Sequence, residues 1–174
     1  SFDFSKHKTL IDIGGSAGML SIMVAKHQEH MNCTSWDLPP VAPIANEVIQ
    51  QFQMHERVKT DSGDFFKDEF PNADIITMGN ILHDWDEETK LMLIKKAYNA
   101  LPEGGVLIAI ENVIDADRNK NAVGLMMSLN MLIETGSGFD YTFSDFNKWT
   151  SAVGFKSTAL LPLTGPTSAA IAYK

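Results

Sequence analysis

Residues able to bind a nucleoside or to move a proton follow short apolar runs at several places in the chain. These residues are Asp12, Asp37, Asp64, His83 and Glu111. Carboxylates accept hydrogen bonds from ribose hydroxyls, and a histidine near neutral pH can take a proton from a reacting group. If the apolar runs are parallel strands, their carboxyl ends meet at one edge of a sheet, where ligands of such sheets bind. The spacing therefore predicts one site at a single rim.

The first of these acids opens a glycine-rich turn. Residues 12–18 read Asp-Ile-Gly-Gly-Ser-Ala-Gly, and Gly14, Gly15 and Gly18 would let a ligand approach the backbone closely. Asp37, at the end of the next run, is well placed to accept hydrogen bonds from two ribose hydroxyls. The alternatives are a tight turn that binds no ligand, and an Asp37 that only caps the following helix.

The glycine spacing distinguishes two kinds of cofactor. A dinucleotide site requires Gly-x-Gly-x-x-Gly, but the second and third glycine positions counted from Gly14 hold Ser16 and Met19. The close approach of a pyrophosphate is therefore poorly supported. The turn favours a cofactor that has a ribose and no phosphate, and a dehydrogenase is the least favoured enzyme class.

The periodicity of apolar residues places these groups on a regular series of elements. Predicted strands cover residues 9–13, 31–36, 57–60, 73–78, 106–110, 156–161 and 168–173. Predicted helices cover residues 17–27, 39–52, 86–101, 122–133 and 144–153, with Pro39-Pro40 at the start of the second and Ser144 as the N-cap of the last. This alternation indicates an α/β, doubly wound, mostly parallel sheet of seven strands with helices on both faces. The connection 162–167 is too short for a parallel crossover, so the last two strands are predicted to form an antiparallel hairpin.

Length and composition narrow the class of protein. The 174 residues fit one domain, and a net charge of −8 argues against nucleic acid or an anionic membrane surface as the partner. The single cysteine, Cys33, excludes an intrachain disulfide and favours a reduced, cytoplasmic setting. The histidines other than His83 show no metal-ligand spacing with carboxylates or Cys33, so no metal is predicted.

Several segments together resemble one enzyme family. The turn at 12–18 resembles the first motif of class I S-adenosylmethionine-dependent methyltransferases. Trp-Asp-Leu-Pro at 36–39, Gly-Asp-Phe-Phe at 63–66, Ile-Leu-His-Asp-Trp-Asp at 81–86 and Pro-x-Gly-Gly at 102–105 are similar to caffeate-type and hydroxyindole-type O-methyltransferases. The resemblance covers nearly the whole chain in order, and Leu-His-Asp-Trp is its most specific part.

The resemblance implies where S-adenosylmethionine would bind. The residues assigned to the first turn and the methionine part of the cofactor are Asp12, Gly14, Gly15, Gly18 and Gly79. Asp37 would hold the ribose and Leu38 would touch the adenine. Asp64 would bond the adenine amino group, and Phe65 would pack on its ring.

The resemblance also implies a general base. His83 would remove the proton of the acceptor hydroxyl, Glu111 would position this histidine, and Asp140 is the candidate for a second carboxylate. Asp140 lies in residues 138–142, Gly-Phe-Asp-Tyr-Thr, where the family pattern reads Gly-x-Glu-Arg-Thr, so Tyr141 replaces the arginine. Outside the motif, His83 would be read as a surface loop residue and the two acids as solvated charges.

The expected reaction is O-methyl transfer to a small, aromatic or polyketide-like acceptor. Gly79 departs from the family pattern, which often has a lysine there that contacts the cofactor. Family members also carry an N-terminal helical domain that dimerises and closes the acceptor pocket, whereas this chain begins almost directly at the first strand. Residues 1–174 are therefore expected to be a single cofactor-binding domain of a longer homodimeric protein.

Two readings of the function stay open beside this one. Relatives of the family bind the cofactor but perform hydroxylation or decarboxylation, and a non-catalytic cofactor-binding module is a third possibility. Met126, Met127 and Met131, at helical spacing, favour a core position, although the family uses apolar residues near there to flank an aromatic acceptor.

Overall fold

Strands and helices alternate along the computed structural model, which describes residues 2–174. Its strands are β1 (Thr9–Ile13), β2 (Asn32–Asp37), β3 (Val58–Ser62), β4 (Ile75–Gly79), β5 (Val106–Glu111), β6 (Ser157–Pro162) and β7 (Ser168–Tyr173). Its helices are α1 (Met19–His27), α2 (Ala42–Gln51), α3 (Glu87–Ala100), α4 (Ala122–Thr135) and α5 (Phe143–Val153), and one 3-10 turn spans Leu82–Asp84. Every predicted strand and helix is present, and each end lies within three residues of its prediction.

The strands form one sheet in the order β3-β2-β1-β4-β5-β7-β6. The first five strands pair in parallel, whereas β7 pairs antiparallel with both β5 and β6. This confirms the predicted doubly wound sheet and its antiparallel hairpin. The strand order reverses between β1 and β4, which lie side by side with Asp12 opposite Thr77. Ligands of such sheets bind beside this reversal, at the carboxyl ends of the strands.

Both faces of the sheet are covered. One buried cluster includes Trp36, Met78, Leu93, Phe146 and Trp149. The other includes Ile22, Ile49, Ile75, Val106 and Ile171. Strands β1, β4 and β5 are accordingly nearly continuous runs of buried residues, which is typical of parallel strands covered on both faces. The packed sheet holds the loops at its carboxyl rim in fixed positions.

Helix α2 begins later than predicted. Residues 39–41 form a turn, in which the Val41 amide donates to the Leu38 carbonyl at 2.8 Å. The helix therefore begins at Ala42, and the proline in its first turn is Pro43 instead of Pro39-Pro40.

Helix α5 has a different N-cap from the predicted Ser144. Thr142 is the N-cap, because the Asp145 amide donates to Thr142 Oγ1 at 3.1 Å while the Thr142 amide donates to Asp145 Oδ2 at 2.9 Å. This capping box satisfies two backbone donors at once. It also fixes the direction of the segment that precedes α5.

Phe146 anchors α5 against the sheet and is fully buried, so Phe146→Ala is expected to leave a cavity and to lower the free energy of unfolding by about 3–5 kcal/mol. Urea unfolding followed by circular dichroism measures the loss. Phe52→Ala is the control, because that ring is 42% exposed at the end of α2. Equal losses in the two variants would contradict this description of the core.

Candidate active site

Two cavities lie at the carboxyl rim on either side of Gly14. The larger, of about 400 Å³, is lined on its polar side by Asp37, Asp64 and Asp84. The smaller, of about 250 Å³, is lined by Asp12, the glycine turn and Gly79. Of the nine residues predicted to bind a cofactor, Gly18 alone lines neither cavity, because it is the N-cap of α1.

The glycine turn leaves no room for side chains. Gly14 has φ +71°, and a Cβ there would lie 2.3 Å from Ile81 Cδ1. A Cβ on Gly15 would lie 2.3 Å from Ser35 Oγ. Both amides donate to the Trp36 carbonyl, at 2.8 and 3.2 Å. The turn is thus held against β2 with its backbone bare toward the rim.

Asp37 binds this turn directly. Its Oδ2 accepts the Ser16 amide at 2.8 Å, and its Oδ1 accepts the Leu38 amide at 2.7 Å. Asp37 does not cap α2, since the N-cap is Val41 and makes no side-chain bond. Each carboxylate oxygen keeps a further lone pair, which can accept a hydrogen bond from a hydroxyl of a ligand in the cavity.

Aromatic rings form one wall of the larger cavity. The Phe65 and Phe66 rings each contact Trp85 edge-on, with ring centroids 5.7 and 4.9 Å apart. Asp64 lies beside this wall, where its Oδ2 is 2.9 Å from Lys67 Nζ and its Oδ1 accepts the Phe66 amide. The hydrogen bond from Lys67 lowers the pKa of Asp64. Trp85, which the sequence analysis named only as part of the motif at 81–86, therefore lines the cavity as well.

Asp12 is a buried carboxyl group at the end of β1. Thr77 Oγ1 donates to its Oδ1 at 2.7 Å. Burial raises the pKa of Asp12 to about 6, an increase that the Thr77 hydrogen bond opposes and the nearby Asp37 charge reinforces. This group is therefore close to its protonation midpoint in weakly acidic solution.

His83 lies on the 3-10 turn that follows β4 and is buried, so the alternative of a surface loop residue is wrong. Its Nδ1 is 3.3 Å from Asp140 Oδ1, although the two groups are out of line for a hydrogen bond. Its Nε2 is 3.4 Å from Asp84 Oδ1. Burial lowers the pKa of His83, but contact with Asp140 and the charges of Glu111, Asp140 and Asp84 outweigh burial and raise it.

The side chain of Glu111 holds the His83 turn by binding the backbone of that turn. At the end of β5, its Oε1 accepts the amides of Ile81 and His83 at 3.1 and 3.2 Å. The carboxylate beside the imidazole ring is that of Asp140, which despite its short side chain lies within contact distance. Glu111 and Asp140 are both buried, which rules out the alternative of solvated charges. Burial raises the pKa of Glu111, partly countered by the neighbouring Tyr141 hydroxyl.

Lys90 is a buried residue beside the site that the sequence analysis did not identify. It lies in the first turns of α3 and is fully buried, with its Nζ donating to the Trp85 carbonyl. A single lysine near the start of an amphipathic helix carries no signal of burial, so only the tertiary structure reveals it.

Other features lie apart from this rim. A further cavity, of about 750 Å³, is at the amino ends of β4 and β5 and includes none of the predicted site residues. Cys33 is buried, and burial raises its pKa to about 12. Within residues 2–174 no cluster of three His, Cys, Asp or Glu residues could hold a metal ion. None of the helices in that range is long and apolar enough to cross a bilayer.

Comparison with known proteins gives a consistent result. A family model described as an O-methyltransferase domain matches residues 1–156. The tetracenomycin polyketide synthesis 8-O-methyl transferase of Streptomyces glaucescens is 32% identical over 174 residues, which is 100% of this chain and 51% of that protein. Acetylserotonin O-methyltransferase of Gallus gallus is 32% identical over 156 residues, 90% of this chain and 44% of that protein.

A solved structure is equally similar. Human N-acetylserotonin methyltransferase in complex with SAM has a TM-score of 0.91 and 31% sequence identity, covering 99% of this chain and 49% of that one. The chain therefore spans about half the length of the curated relatives that it matches.

Replacing Asp12 with Asn tests the buried carboxyl group. The pKa of about 6 in the folded chain is above the ordinary value of 3.8, so the contribution of Asp12 to stability is present below pH 4 and is lost as pH rises through 6. Relative to the wild type, Asp12→Asn should gain up to about 3 kcal/mol in free energy of unfolding between pH 4 and pH 7. Urea unfolding across this range measures the gain, with Asp61→Asn as the control for loss of an exposed charge. A difference that stays constant with pH would contradict the assignment.

Proposed function

The chain belongs to the O-methyltransferase domain family, and from this premise we propose that it transfers the methyl group of S-adenosylmethionine to a hydroxyl of a small aromatic or polyketide-like molecule. The observation that carries the proposal is the meeting, at one rim, of a nucleoside-sized cavity and a buried histidine beside Asp140. The similar proteins are named for polyketide synthesis and for acetylserotonin methylation, and the similar human structure holds SAM.

The residues at the rim fit this cofactor. Gly14 and Gly15 present bare backbone, Asp37 has acceptor capacity for ribose hydroxyls, and Phe65 offers a ring face beside the Asp64 carboxylate. A pyrophosphate would instead face the negative charges of Asp37 and Asp64. Bound S-adenosylmethionine supplies a sulfonium methyl group that is already electrophilic and needs only an in-line nucleophile at close range.

His83 is proposed to activate that nucleophile. A phenol has a pKa near 10 and is mostly neutral at pH 7, so a base must take its proton as the oxygen attacks. Nε2 is the nitrogen available for this step once the acceptor hydroxyl replaces its contact with Asp84. The hydroxyl proton would pass to Nε2 as the acceptor oxygen takes the methyl group, while the bond from that carbon to the sulfonium sulfur breaks and S-adenosylhomocysteine leaves as a neutral thioether. Asp140 beside Nδ1 then stabilises the imidazolium, while Glu111 keeps the turn in place.

The acceptor side of the site is open along α4. This helix packs against the His83 turn, but Met126 is 73% exposed, contrary to its expected core position, while Met131 is buried. Val123, Leu129 and Ile133 are also exposed. We propose that residues 1–174 form a single cofactor-binding domain and that the acceptor pocket is completed by a further domain, through which the longer protein would dimerise. The double length of the relatives supports this proposal.

The cofactor assignment is tested by calorimetric titration of the chain with S-adenosylhomocysteine. We expect micromolar binding that weakens at least about tenfold in Asp37→Ala, because two ribose hydroxyls lose their acceptor. Asp61→Ala is the matched control, since Asp61 is an exposed acid on the adjacent strand β3. Binding of NADH in place of S-adenosylhomocysteine would contradict the assignment.

The base assignment is tested with His83→Ala in the longest available form of the protein. Transfer of a labelled methyl group to hydroxynaphthoates and hydroxyindoles should fall about 10²–10⁴-fold, while the affinity for S-adenosylhomocysteine stays unchanged. Because the His83 pKa is raised, the wild-type rate should fall as pH drops through a value above 6.5. His55→Ala removes an exposed histidine as the control. Unchanged turnover in His83→Ala would refute the base, and cofactor binding without transfer to any acceptor would favour a non-catalytic module.

A further inference from the structure

The buried ammonium of Lys90 links the two segments that carry the base and its carboxylate. Its Nζ donates to the carbonyl of Trp85, two residues after His83. The same Nζ lies 3.4 Å from the centroid of the Phe139 ring, and Phe139 immediately precedes Asp140. The face of an aromatic ring and a carbonyl oxygen are both favourable contacts for an ammonium group. Lys90 is thus positioned between the His83 turn and the segment before α5.

The charges around His83 are unbalanced without this lysine. Asp140 and Glu111 are buried, and Asp84 is partly buried beside Nε2. Lys90 is the only lysine or arginine among the buried residues of the described chain. It is therefore the one buried lysine or arginine side chain in residues 2–174 that can place a positive charge near these acids.

We propose that Lys90 is a positioning residue of the active site: its ammonium holds the His83 turn through the Trp85 carbonyl and offsets the charges of Asp140, Glu111 and Asp84, so that a larger fraction of His83 is free imidazole. This inference rests on the proposed role of His83 as the base. It adds a residue that the histidine motif does not contain.

The offset is needed because a general base must be unprotonated to act. Three carboxylates raise the pKa of His83, and taken alone they would leave more of it as imidazolium at neutral pH. A cation in the same cluster opposes this effect. Burial lowers the pKa of Lys90 to about 8, against the charges of four acids, so the lysine is still mostly protonated at pH 7. Those acids are Glu111, Asp140, Asp86 and Asp84, and the other titratable groups of the cluster are His83, Tyr141 and, acting on Asp84, Glu134.

Lys90 is not placed there to stabilise the fold. Its pKa in the folded chain, about 8, is below the ordinary value of 10.5, so the unfolded chain binds the proton more tightly. The buried charge therefore lowers stability at every pH below about 8, and this penalty disappears only as pH rises toward 10.5. An apolar residue of similar size would avoid the penalty, which is consistent with a role in the chemistry of the site.

The test measures the His83 pKa by NMR of histidine-labelled chain, with the His83 signal assigned from its loss in His83→Ala. Neither cofactor nor acceptor is present, so the result does not depend on whether transfer occurs. Lys90→Met removes both the charge and the bond to Trp85, whereas Lys90→Gln removes the charge and keeps a donor. In both variants the His83 pKa should rise by about one unit, leaving about tenfold less free imidazole below the pKa.

Two controls frame this result. Lys90→Arg keeps the charge and should leave the His83 pKa near the wild-type value, and Lys95→Met removes an exposed charge from the same helix and should do the same. The proposal is overturned if Lys90→Met and Lys90→Gln leave the His83 pKa where Lys95→Met does, or lower it.

A measurement on the wild-type chain covers the case in which the neutral variants do not fold. The ¹³Cε signal of Lys90, identified by its loss in Lys90→Arg, should titrate with a midpoint near the value of about 8. A midpoint below pH 7 would mean that the amine is neutral when the base has to act, and the proposed offset would be excluded.

Discussion

The reversal of strand order between β1 and β4 is the constraint on which the rest of the structure depends. Chain connections leave these adjacent strands toward opposite sides, so their carboxyl ends stay uncovered and form a crevice. The glycine turn after β1 forms one side of this crevice, and the His83 turn after β4 forms the other. Gly14 and Ile81 nearly touch across it, as the 2.3 Å clash of an added Cβ shows. The residues proposed to bind the cofactor and the proposed base thus lie on two walls of the same opening.

Buried charge is the second organising feature. The loop after β4 contains only a short 3-10 turn, which cannot hold the loop in place by itself. Glu111 holds it by accepting hydrogen bonds from two of its backbone amides. A carboxylate used in this way must be buried, and burial is unfavourable unless the charge is paired. Asp140 adds a second buried carboxylate beside the ring of His83. The position that would hold arginine in the related motif holds Tyr141, and the buried cation of this cluster is Lys90 on α3 instead.

The sequence predicted the parts of this arrangement that depend on local pattern. Apolar runs ending in acids located the rim, because strand ends are fixed by periodicity and parallel strands share one direction. The glycine spacing in residues 12–18 favoured a nucleoside over a dinucleotide. Gly14 and Gly15 are required there by the close approach of Ile81 and Ser35, and Gly18 by its positive φ of +78°. The start of α2 and the N-cap of α5 were misplaced because a turn at 39–41 and the reciprocal bonds of Thr142 and Asp145 are not visible as periodicity.

What the sequence could not show is which partner each buried group would find. Glu111 was expected to position His83. It does so by binding the His83 backbone amide and not the imidazole ring, an outcome that depends on the path of the loop. Lys90 has the pattern of a solvated helix residue, and its burial follows from the packing of Phe139 over α3. Met126 has an apolar side chain of the kind found in protein cores, yet it is exposed because α4 packs on the rim and not between the sheet and another layer. These outcomes are decided by tertiary contacts between segments far apart in sequence.

The most direct test of the central claim is a map of amide chemical shifts in ¹⁵N-labelled chain on addition of S-adenosylhomocysteine. We expect the largest changes in the glycine turn at 12–18, at Asp37 and Leu38, and in residues 63–66. Changes confined to the cavity at the amino ends of β4 and β5, or no changes at all, would contradict it.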